Sequence, residues 1–153
     1  MDIPSSMAAE LQAWNGGEGI DLAAWIGCEG RFSLAVGYLT VFWPDFDLLD
    51  DHIVRARTTL DSLRGFQLRQ GSTRQSVETV LNHLHLTDIQ HLGCPDASAD
   101  KLLALGTKLK EIYEAKLAWQ FPDRPCIVSL LIPEDQSDLN AYQLTFWQAT
   151  SET

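Results

Sequence analysis

Apolar positions recur at helical spacing over most of this chain and switch to strict alternation near its end. Ser5 or Ser6 can cap a short helix running to Trp14, which the run Asn15-Gly-Gly-Glu-Gly19 ends. Residues 20–30 repeat the pattern, with Asp21 near the start and Gly30 near the end. Residues 31–44 are apolar almost throughout. Ser33, Gly37 and Thr40 fall on one helical face, and Phe32, Val36, Leu39 and Trp43 lie around it. That spacing predicts a central buried helix, stopped by Pro44.

Three further helices follow from the same reasoning. Residues 50–65 carry Asp50 and Asp51 at the expected start, Arg64-Gly65 at the end, and the stripe Ile53, Ala56, Leu60, Leu63. Residues 72–85 open with Ser72 and Gln75 at capping-box spacing, over the stripe Val77, Val80, Leu81, Leu84. Residues 99–121 make the longest helix, with Leu102, Leu105, Leu109, Ile112, Tyr113 and Leu117 facing inward and Pro122 barring continuation.

Strands are expected where the period changes. Residues 126–132 form a short apolar run. In residues 142–148 Tyr142, Leu144 and Phe146 alternate with Gln143, Thr145 and Trp147. A polar loop joins the two as an antiparallel β-hairpin, and residues 66–70 alternate as a third short strand. The fold class is therefore α+β: a compact bundle of five or six short helices with a C-terminal antiparallel hairpin, in one domain over residues 1–153.

Charge narrows the function classes. The formal net charge is −10, from 21 acids against 11 bases, which argues against nucleic acid and anionic membrane as partners. Residues 1–50 contain Arg31 as their one base against eight acids, so the acidity is concentrated there. Cys28, Cys94 and Cys126 are scattered without a paired spacing, as expected of reduced thiols in the cytoplasm. The first residues lack the basic and apolar regions of a signal peptide.

Two clusters carry candidate chemistry. Asn82–Cys94 places His83, His85, Asp88, His91 and Cys94 close together. Were the helix from Ser72 to run unbroken to Leu92, Asp88 would sit in the apolar stripe between His85 and His91. It would then need a divalent transition metal, with Cys94 as a soft fourth ligand. A break is the simpler reading: Thr87 and Gln90 have capping-box spacing, Asp88 opens a new turn, Gly93 ends it, and the histidines hydrogen-bond backbone across a corner. The second cluster is Trp43, Asp45, Asp47, Asp50 and Asp51. Its acids could hold a hard cation, but turn formation and helix capping explain them as well. Trp147 falls on the more polar side of the last strand and is a further exposed-anchor candidate.

The expected function is non-enzymatic and needs no cofactor. The chain reads as an acidic cytoplasmic protein of inhibitor, immunity or adaptor type, binding a basic protein through Trp43, Asp45, Asp47, Asp50, Asp51 and Trp147. The alternative is a metal-dependent hydrolase using His83, His85, Asp88 and His91.

Overall fold

The computed structural model describes residues 2–90 and 96–149. His91 and Cys94, two of the candidate ligands, lie outside the described residues. Six α-helices and five strands are present among those described: α1 (Ala8–Gln12), α2 (Leu22–Glu29), α3 (Phe32–Phe42), β1 (Phe46–Leu49), β2 (His52–Arg55), α4 (Leu60–Gln67), α5 (Arg74–Leu81), β3 (Leu84–His85), α6 (Ala99–Gln120), β4 (Cys126–Leu131) and β5 (Gln143–Gln148). The α+β class and the C-terminal hairpin are as expected. No helix is long and apolar enough to cross a membrane among the described residues.

The core forms where the two periodicities meet. β4 and β5 pair antiparallel, from Cys126 opposite Gln148 to Leu131 opposite Gln143. Tyr142, just before β5, and Leu144 and Phe146 within it point into the core, where Leu102, Leu109, Tyr113 and Leu117 of α6 meet them. Phe46, Tyr113 and Phe146 pack edge-on, with Phe46 bringing β1 into the same core. Gly106 permits this closeness. A Cβ there would stand 2.7 Å from both Leu86 Cδ1 and Leu130 Cδ1.

Several expected elements differ. Residues 50–65 are not one helix. Asp50 and Asp51 adopt positive φ, +46° and +66°, the backbone that a two-residue type I′ turn requires. They close the hairpin β1–β2, and α4 starts only after Thr59, whose hydroxyl caps it. Residues 66–70 are not a strand, since α4 continues to Gln67. The third strand of the C-terminal sheet is β3, in the order β3-β5-β4. The capping box of α5 is Thr73 with Ser76, one residue beyond the Ser72–Gln75 pair, and Ser72 instead donates to the Phe66 and Arg69 carbonyls. Ser5 and Ser6 cap no helix; both bond the Asp100 carboxylate at the start of α6.

The largest correction concerns residues 31–44. They are helical, as α3, but the helix is peripheral, and none of its residues is buried. Val41 and Phe42 pack partly against the core, while Phe32 is 94% exposed, Val36 65%, Leu39 60% and Trp43 47%.

α5 joins the two sheets through side chains. Glu78, fully buried, accepts from the backbone N–H of Ile53 at 3.0 Å and of Gln148 at 2.7 Å. One turn later, Asn82 accepts from Arg55 N–H at 2.9 Å and donates to the carbonyls of Ile53 at 2.8 Å and Phe146 at 3.2 Å. The facing edges of β2 and β5 thus end on α5 instead of on each other.

Candidate functional site: a cleft beneath the second and third helices

α2 forms because Asp21 caps it, its carboxylate accepting from Ala24 N–H at 2.8 Å. α3 follows at once, and the two helices stand off the body. The cleft left between them has a volume of about 830 Å³. Trp25, Leu34, Tyr38 and Phe42 wall it on the helical side, and Leu86 and Ile89 on the body side. Gln90 Nε2 donates to Tyr38 Oη and holds the two walls together.

One wall residue carries an unmatched polar atom. The indole nitrogen of Trp25 is shielded from solvent and has no hydrogen-bond partner. An unpaired donor of this kind costs about 1–3 kcal/mol. The rim carries Glu29 and Asp138, together with Arg31 and the Lys101–Asp96 ion pair.

The histidine corner is broken, earlier than Thr87. α5 ends at Leu81, Asn82 is its C-cap, and β3 follows. A short 3-10 turn, Leu86–Ile89, carries Asp88 in its first turn. No Thr87–Gln90 capping box forms: the turn has no side-chain cap, and Thr87 donates to Asn140 Oδ1 at 3.2 Å. His83 Nδ1 bonds the Val80 carbonyl, and His85 Nδ1 bonds the Asn140 carbonyl at 2.8 Å. The two rings stand edge to face, 5.3 Å between centroids. Asp88 is exposed. Among the described residues, no three His, Cys, Asp or Glu side chains are placed to hold a metal ion together.

The acidic cluster separates into different roles. Asp51 bonds Arg124 and pairs with Arg74. The Arg124 hydrogen bond, with the nearby Arg74 charge, holds its carboxyl below the usual carboxylate range. Asp50 accepts from Gln67 at 3.3 Å. Neither caps a helix. Asp45 and Asp47 remain exposed beside α3, with Asp45 4.0 Å from Lys116. The Lys116 ammonium lies between two indoles, 5.2 Å from Trp43 and 4.7 Å from Trp119. Trp147 is half-buried over a shallow depression with Ile127, Thr107 and Lys110, along a different stretch of α6. Asp50 and Asp51 are thus taken up by partners in their own chain, and Trp147 lines a depression apart from Trp43.

His52 was not anticipated as part of a cluster. It is nearly buried between Glu78 Oε1 at 3.5 Å and Gln67 Nε2 at 3.1 Å, at the joint of the hairpin and α5. Glu78 accepts from Ile53 and Gln148, while His52 Nδ1 beside it is buried without a hydrogen-bond partner. No protein-family model, curated protein or solved structure matches the chain.

Proposed function

We propose that this protein is a non-enzymatic binding module that takes a segment of another protein into the cleft beneath α2 and α3. The observation that carries this reading is the apolar cleft of about 830 Å³, with Trp25, Leu34, Tyr38 and Phe42 on one wall and Leu86 and Ile89 on the other. A partner segment presenting apolar side chains would cover these walls. The rim carries Glu29, Asp96 and Asp138 against Arg31 and Lys101, and with the overall charge of −10 this favours a partner with basic residues flanking its apolar ones. Asp45 and Asp47, exposed beyond the end of α3, add to the field that steers it. The free thiols Cys28 and Cys126 fit a reducing compartment, the cytoplasm.

Site-specific photo-crosslinking tests this. A photoreactive residue at Leu34, inside the cleft, should capture one protein, and the same residue at Ile127, outside it, should not. The adduct should weaken between about 0.05 and 0.5 M salt and also in Trp25→Ala, which takes away part of the apolar wall. Equal capture from both positions, or indifference to salt, would overturn the reading.

A further inference from the structure

The outer side of α3 points away from the cleft and carries a second, independent pattern. Phe32, Val36, Leu39 and Trp43 follow the 4-3-4 spacing of a helix-pairing seam, and all four are exposed. Trp119 of α6, also exposed, extends the stripe beside Trp43, 6.2 Å between ring centroids. Interleaved with the large residues are Ser33, Gly37 and Thr40, all exposed. A Cβ built on Gly37 meets nothing within 4 Å. The Thr40 hydroxyl is satisfied within the helix, donating to the Gly37 carbonyl at 2.8 Å, so the residue can be covered at no polar cost.

We propose that this seam is a homodimer interface, in which α3 packs antiparallel against α3 of a second copy about a two-fold axis near Tyr38. The seam is complementary to itself in one register. Trp43 then lies opposite Ser33, Leu39 opposite Gly37 and Val36 opposite Thr40, so three of the four large residues meet a small one. Antiparallel pairing also brings Arg31, the residue before α3, to the end where Asp45 of the other copy follows its α3 beside Lys116, twice by symmetry. The Arg31 side chain makes no ion pair or hydrogen bond among the described residues, and it sits at the N-cap of a helix with no acid in its first turn, where the macrodipole disfavours a cation. A carboxylate arriving there would be stabilised by both. The apolar area offered by the stripe and Trp119 is on the order of 700 Å², close to the ~800 Å² per partner of a stable interface. The inner face of α3 stays on its own body, and of the residues used here only Arg31 also belongs to the rim of the cleft.

Light scattering and sedimentation equilibrium of the full chain, from about 1 to 100 μM, test the proposal. The protein should be dimeric in this range. Gly37→Gln fills the slot for Leu39 at an exposed position where a Cβ meets nothing of its own chain, and should raise the dimer Kd about tenfold or more while circular dichroism stays unchanged. Arg31→Asp and Asp45→Arg should each raise Kd about fivefold, and together restore it. A monomer at 100 μM overturns the proposal, whether α3 then captures another protein or binds neutral lipid vesicles. A dimer indifferent to Gly37→Gln, or a charge reversal that the second reversal does not rescue, overturns it also. Loss of the Leu34 cross-link with an intact dimer would sink the cleft reading alone.

Discussion

Glu78 and Asn82 stand one helical turn apart on α5, and between them they terminate the facing edges of β2 and β5. This is the joint of the molecule. The carboxylate is fully buried, and every contact to it is a donor: Ile53 N–H, Gln148 N–H and the Gln148 side-chain amide at 2.6 Å. Glu78→Gln would turn an amide nitrogen against one of these donors. The expected loss is about 2–4 kcal/mol, read as a fall in the urea midpoint and a Tm lower by roughly 5–15 °C. Unchanged stability would show that the joint is held by apolar packing alone.

Two glycines should respond oppositely to the same substitution. Gly106→Ala places a methyl 2.7 Å from Leu86 and Leu130, which are themselves confined by the core, and should destabilise by about 1–3 kcal/mol despite the better helix propensity. Gly65 lies within α4 with nothing within 4 Å, so Gly65→Ala should stabilise by about 0.5–1 kcal/mol. Paired denaturation curves check both signs.

Acid should loosen the molecule at its surface ties. Asp100 is held well below the ordinary carboxylate range, first by the Ser98 hydroxyl and then by Ser6 N–H, and Asp51 is lowered mainly by its hydrogen bond from Arg124. A depressed folded-state pKa contributes stability above the unfolded value of 3.8 that is lost as pH falls through the folded one. Thermal unfolding from pH 7 down to about pH 2 should therefore show a drop beginning below pH 4. The drop should be smaller in Asp100→Asn, which has no carboxylate there to protonate.

The described thiols should differ in reactivity. Burial, with the Glu78 charge behind it, pushes the Cys126 thiol up to about 11, whereas Cys28 is exposed on α2. Iodoacetamide at pH 8 should label Cys28 within minutes and Cys126 only after denaturant is added, as peptide mapping by mass spectrometry would show. Early labelling of Cys126 would mean that β4 opens readily at its first residue.

Amphipathic periodicity made α6 legible in the sequence almost to the residue, and alternation did the same for β5, because each element buries one side against its own chain. The α3 helix was legible as a helix but not in its place. Uniform hydrophobicity reports that a surface wants covering; it does not report whether the cover comes from the same chain. Asp50 and Asp51 mislead for another reason: acids before an apolar stripe suit a helix start, yet aspartate also tolerates the left-handed backbone of a tight turn, and here the turn wins. Glu78 and Asn82 gave no local signal at all, since their partners lie 25 to 70 residues away. The cleft is likewise a product of tertiary placement, bringing Trp25 against Leu86 and Ile89.

The way α5 finishes the two sheets has a consequence for the crowded cell. A strand that ends on open amides and carbonyls is a template on which another chain can grow, the first step toward amyloid or swapped oligomers. Here a carboxylate and a carboxamide occupy those positions on both strands, so neither edge is left to recruit a neighbour. Damage to either side chain should show itself first as insoluble protein, before any loss of helix is seen.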